Sequence, residues 1–87
     1  MMIARCGTIE SNDCLITVQR QQAFELKIDS IVFDQFGKQI EKVIKDTLTS
    51  MGIKHIYVHI QDKGALDYTI KARLITALKR LEKTHAS

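Results

Sequence analysis

Glu10-Ser11-Asn12-Asp13 sets a hydroxyl between two carboxylates. A serine so placed can carry a covalent group, or attack one if a base is in reach. Ser, Asn and Asp are equally the ordinary residues of a tight turn, so the residue types alone leave Ser11 with a structural reading beside the chemical one. His55 and His59 stand at i, i+4, a spacing that on a helix brings two imidazoles to one metal ion. Asp62 and Asp67 form a candidate carboxylate pair, although acids collect at helix N-termini for electrostatic reasons alone, and both are read as structural. Cys6 and Cys14, separated by seven residues, match neither a redox pair nor a zinc site and read as small buried apolar residues. No nucleophile, base and orienting acid stand at motif spacing, and glycines at 7, 37, 52 and 64 are too scattered for a phosphate loop. The expectation is a protein with no catalytic residues and no metal site.

These side chains must be positioned by short elements. Ala4 to Glu10 and Cys14 to Arg20 flank the turn formers and read as strands, and Ala23 to Asp29 follows the polar break Gln21-Gln22 as a third, giving two hairpins in series. Cys14, Ile16 and Val18 alternate with Leu15, Thr17 and Gln19, and Phe24, Leu26 and Ile28 with Glu25, Lys27 and Asp29. In the first strand Ile3, Gly7 and Ile9 share the face expected to meet Cys14, Ile16 and Val18. Pairing Ile9 with either Cys14 or Ile16 leaves Ser11 at the hairpin tip.

The spacing predicts a helix from Ser30 to Ser50 with Phe36, Ile40, Val43, Ile44, Leu48 and Met51 on one stripe, Ser30 as N-cap and Gly52 as stop. Gly37 inside it implies close packing against the sheet. Ile53 to Gln61 alternates again, Ile56, Val58 and Ile60 inward and His55, Tyr57 and His59 outward. Two strand residues four apart lie ~13 Å from each other, too far for His55 and His59 to share an ion. After the turn Asp62-Lys63-Gly64, the stripe Leu66, Ile70, Leu74, Ala77, Leu78 and Leu81 predicts a second helix. The expected fold is a two-layer α+β sandwich in the order β-β-β-α-β-α. Its mixed four-stranded sheet carries both helices on one face, the third and fourth strands joined by a parallel crossover.

Eighty-seven residues, 45% hydrophobic and 26% charged, suit one domain over residues 1–87 that folds rather than a disordered chain. No apolar run approaches a membrane span, and Met1 to Arg5 lacks a charged start followed by a long apolar stretch, so a soluble cytoplasmic protein is expected. Net charge is +3 and concentrated at the end: from Lys63 onward there are six basic residues against two acidic. That basic helix face reads first as a solvated face. An RNA-binding module is an alternative use of it, but the chain lacks stacking aromatics and a GxxG loop.

Two stretches carry a family resemblance. Gly7-Thr8-Ile9-Glu10-Ser11-Asn12-Asp13 is similar to a pattern of Gly-Thr, an apolar residue, Glu-Ser, one variable residue and Asp. Asp62-Lys63-Gly64-Ala65-Leu66-Asp67, with the helix running on through Lys71-Ala72-Arg73, is similar to an Asp-Lys-Gly-Ala-Leu-Asp segment before an Arg-Ala-Arg helix. Both resemble the gamma subunit of citrate lyase, the acyl carrier chain of that complex, as does Gln35-Phe36-Gly37. The resemblance runs from about Gly7 to Arg80 and departs at Tyr68, where the family often has Cys, and in a short tail.

The resemblance implies a role. The serine of the Glu-Ser pair carries 2'-(5''-phosphoribosyl)-3'-dephospho-coenzyme A through a phosphodiester, and by position that serine is Ser11; Ser30, Ser50 and Ser87 lack the motif. A prosthetic-group transferase attaches the arm. The alpha subunit then exchanges acetyl for citryl on it, and the beta subunit cleaves citryl to oxaloacetate and regenerates acetyl, so that citrate yields acetate and oxaloacetate as in citrate fermentation. The carrier is a phosphoprotein that supplies reach and no acid, base or metal ligand. Glu10 and Asp13 would either orient the tip for the transferase or serve only the turn. The carrier subunit of malonate decarboxylase, with the same prosthetic group, is the nearest alternative, and an interaction domain with Ser11 unmodified is a third.

Overall fold

The computed structural model describes residues 3–86, so Met1, Met2 and Ser87 and the expectations resting on them lie outside the described residues. Strands β1 (Ile3–Gly7), β2 (Cys14–Arg20) and β3 (Glu25–Ser30) precede helix α1 (Phe33–Ser50), strand β4 (Ile56–Asp62) and helix α2 (Asp67–Ala86). The sheet order is β1-β2-β4-β3, with β3 parallel to β4 and the other two pairs antiparallel. The architecture is the expected α+β one, mixed sheet and crossover included.

One sheet face and two helix stripes make the core. Cys14, Ile16 and Val18 of β2 and Ile56, Val58 and Ile60 of β4 meet Ile40, Ile44 and Leu48 of α1 and Ile70, Leu74, Ala77, Leu78 and Leu81 of α2, all buried. Each large side chain so buried contributes about 1.5–3 kcal/mol. The residues between them, Gln19, Tyr57 and His59 among others, line the opposite face.

Several local expectations are corrected. There are not two hairpins in series, because β4 lies between β2 and β3. Every second residue of β4 is sealed from solvent, which fits a central position, whereas Glu25, Lys27 and Asp29 give β3 the charges that suit an edge. The face of β1 is also reversed: Cys6 pairs with Ile16 and Ala4 with Val18, so neither Ile9 register forms, and Ile9 is exposed. The cause is Gly7. Its φ of +106° turns the chain out of the strand, and a methyl group there would lie 1.8 Å from the Cys14 carbonyl oxygen.

Helix α1 starts later than expected, with Val32 rather than Ser30 at the N-cap. Ser30 Oγ instead accepts the Val32 N–H at 3.1 Å and donates to Asp62 Oδ2 at 2.7 Å. Gly52, at φ +69°, ends the helix as read. Gly37 is crowded by the Phe33 ring of its own helix, not by the sheet; a methyl there would come within 2.8 Å of the ring. Phe36, Met51 and Leu66, placed on the core stripes by their spacing, are exposed: Met51 follows the last residue of α1, Leu66 precedes the first of α2, and Phe36 lies on the first turn of α1, one turn before the buried Ile40.

Candidate functional site

The loop from Thr8 to Asp13 is knotted around its own carboxylate. Thr8 N–H donates to the Cys14 carbonyl (3.2 Å), and Thr8 Oγ1 accepts the Glu10 N–H (3.2 Å) while donating to Asp13 Oδ2 (2.7 Å). Asp13 N–H donates to the Glu10 carbonyl at 3.1 Å, closing a turn over Ser11 and Asn12. Asn12 takes φ +65°, a left-handed conformation that asparagine tolerates better than most residues.

Two distant elements hold this turn in place. Asn12 N–H donates to the Lys63 carbonyl (2.8 Å) and Lys63 N–H to the Asp13 carbonyl (2.9 Å), joining the loop to the β4–α2 turn. From α2, Arg73 Nε and Nη2 reach the two Asp13 oxygens at 3.0 and 3.3 Å, a forked charge-assisted contact. Asp13 Oδ1 also accepts the Cys14 N–H at 2.7 Å. Hydrogen bonds from Arg73 and then Thr8 hold the Asp13 carboxyl down at about 2, and the same contact raises Arg73. The β4–α2 turn has its own anchor: the buried Asp62 carboxylate accepts Ser30 Oγ and, at 2.9 Å, the Ala65 N–H.

The two stretches that carry the family resemblance thus meet in space. Ser11 stands at their junction, exposed and making no hydrogen bond within the described residues. Glu10 is exposed beside it. Asp62 and Asp67 do not form a pair: Asp62 is buried in the turn, and Asp67 accepts Gln39 Nε2 at 2.5 Å.

The remaining candidates lie elsewhere. His59 pairs with Asp29 across the strands at 2.7 Å and holds that carboxyl below its ordinary value, while His55 is exposed just before β4. Among the described residues no three His, Cys, Asp or Glu side chains are grouped to hold a metal ion. Cys6 and Cys14 are free thiols and buried, as read, and burial pushes Cys14 up to about 12. The basic face of α2 is not simply solvated, because besides Arg73, Arg80 donates to the Arg5 carbonyl at 2.7 Å and braces β1. Thr8 and Arg73 were missed as site residues. Thr8 has a signal in its place five residues before Asp13, but Arg73, sixty positions away, has none in local pattern.

The loop's polar contacts thus present the exposed Ser11 hydroxyl on a tip anchored by distant elements. Comparison with known proteins gives the family. The pattern of the family described as malonate decarboxylase delta subunit (MdcD), an ACP family, matches residues 2–81. The chain is 48% identical over 81 residues to the citrate lyase acyl carrier protein of Halothermothrix orenii, covering 92% of this chain and 86% of that one. It is 47% identical to that of Treponema denticola, covering 88% of each. A chain in the crystal structure of a Pseudomonas malonate decarboxylase hetero-tetramer in complex with malonate has the same fold, with TM-score 0.74 and 13% identity over 91% of this chain and 82% of that one. The chain belongs to the citrate lyase acyl carrier protein family.

Proposed function

We infer that this protein is the acyl carrier subunit of a citrate lyase, with Ser11 as the attachment point of 2'-(5''-phosphoribosyl)-3'-dephospho-coenzyme A. The observation that carries this reading is the position of Ser11: exposed at the apex of a turn whose flanking residues are fixed by β4–α2 and by Arg73. The site suits the group, since the free hydroxyl can form a phosphodiester without breaking any contact of the fold. When attached, the group supplies the thiol on which acetyl and citryl travel between a transferase alpha subunit and a lyase beta subunit.

The chain's own residues do the positioning. Thr8, Asp13 and Arg73 keep the tip from collapsing onto the sheet, and the turn from Asp62 to Ala65 sets its direction. A tip fixed in this way lets one tether serve a modifying transferase and two active sites, each encounter becoming intramolecular. No helix among the described residues is long and apolar enough to cross a membrane. The reading places the protein in the cytoplasm, with no nucleic-acid partner.

Intact mass of the protein co-expressed with its transferase and a supply of the phosphoribosylated precursor tests the assignment. One added prosthetic group on wild type and none on Ser11→Ala is the expected result. An unshifted wild type, beside a transferase active on another carrier, overturns it. The family description and the shared fold with the malonate decarboxylase chain favour one second reading, a malonate decarboxylase carrier. Assay of the loaded protein with each set of catalytic subunits decides between them.

A further inference from the structure

Beside the Ser11 loop lies an apolar cleft of about 500 Å³, in the size range of small-molecule sites. Phe36 and Ile40 of α1 form one wall, Leu66 and Tyr68 the other, and Gly64 and Ala65 lie between them. Phe36 is 50% exposed, Leu66 59% and Tyr68 72%. Large apolar side chains converging on one opening without cover mark a surface that binds something.

What it binds is indicated by what stands next to it. A methyl group at Gly64 would lie 3.5 Å from the Asn12 side-chain oxygen, and Asn12 N–H is bonded to Lys63, so one residue lining the cleft, Gly64, lies beside the neighbour of Ser11. We propose that the cleft is the resting seat of the pantetheine portion of the arm, folded back from Ser11 so that its thiol end is shielded between acyl transfers. This rests on the reading that Ser11 bears that arm. The chemistries agree: pantetheine is uncharged and combines geminal methyl groups with amides. The cleft combines apolar walls with the Gln39 amide at its rim, which donates to Asp67 and keeps its carbonyl oxygen as an acceptor.

Tethering makes weak affinity sufficient. The phosphoribosyl, adenosine and diphosphate parts of the arm form the tether between Ser11 and the pantetheine; at an effective concentration of about 1 mM, an intrinsic Kd of about 1 mM fills the seat about half the time. Occupancy at that level shields the thiol while leaving it available to an enzyme that competes for it.

The test uses loaded protein, with one arm per chain at Ser11 verified by mass. Two readouts are taken: the rate at which the arm's thiol reacts with a small disulfide reagent, and amide and side-chain NMR shifts in loaded against unloaded protein. Expected are shifts on loading at Phe36, Leu66 and Tyr68, and a reaction about twofold or more slower than in Phe36→Lys or Leu66→Lys, where exposed positions are made polar. Equal reactivity in all three, or shifts confined to residues 8–13, overturns the proposal and leaves the carrier reading intact. Absence of the arm from Ser11 overturns both. Cleft variants that slow exchange with the catalytic subunits while thiol reactivity is unchanged show a subunit-docking surface instead, and overturn the intramolecular seat.

Discussion

Two loops of this chain leave β1 and β2 at the ends of their strands and are held in opposite ways. Thr8 to Asp13 is bonded to β2, to the β4–α2 turn and to α2, through contacts reaching up to sixty residues along the chain. Gln21 to Phe24, between β2 and β3, has Gln21 Nε2 on the Ala23 carbonyl at 3.0 Å as its side-chain contact, two residues away. The first joins paired neighbours, whereas the second carries the chain past β4 to the far edge of the sheet. Exposure does not separate them, since both are largely exposed. Dependence on distant elements does, and the loop that depends on them is the one that presents Ser11.

The largest test of that difference is Gly7→Ala. The new methyl would overlap the Cys14 carbonyl at a backbone conformation unfavourable to alanine. A loss of about 3 kcal/mol is expected in urea denaturation, enough to threaten folding in a domain of this size. An unchanged midpoint would mean that the exit from β1 is not fixed by Gly7.

Next is Asp13→Asn, which removes the charge that Arg73 grips while keeping the shape. We expect Tm to fall by roughly 5 °C, the scale of one charge-assisted contact in a small domain. Attachment of the group at Ser11 should slow as the tip loses its fixed direction, and Arg73→Gln should reproduce both effects. Normal attachment with either variant would show that the transferase does not need the clamp.

Much of the frame could be read in advance because it depends on local periodicity. Ile56, Val58 and Ile60 alternate, Ile40, Ile44 and Leu48 recur at helical spacing, and all six are in the core. Ser11 at the tip was legible from turn chemistry and, as an attachment site, only from the family motif. The neighbour of β2 was not legible, because pairing order depends on which strands bury one face completely and which tolerate an edge. Nor was the face of β1, where a single left-handed glycine ends the strand before Ile9 can join it. The Asp13–Arg73 contact lies beyond any local pattern, since it arises only when α2 is laid across β1 and β2.

A smaller effect follows from pH. The Asp13 carboxyl is held at about 2 in the folded chain against an ordinary 3.8. Its contribution is therefore fully present above the ordinary value and is lost as pH falls from about 4 to 2. The stability gap between wild type and Asp13→Asn should be constant from pH 7 to 5 and close toward pH 2. A gap that persists at pH 2 would assign the effect to shape rather than charge.

The smallest expected effect is at the other loop. Gln21→Ala removes a contact between two residues of the same turn, so little beyond that turn can respond. The change in stability should stay within about 0.5 kcal/mol, as for surface positions away from special features. Inserting one glycine between Gln22 and Ala23 should cost little more, because lengthening an exposed connection adds only slowly to its closure entropy. Neither change should alter the rate of attachment at Ser11. If either lowered stability or attachment as much as Asp13→Asn does, the β2–β3 connection would share in holding the site, and the contrast between a tethered loop and a passive one would fail.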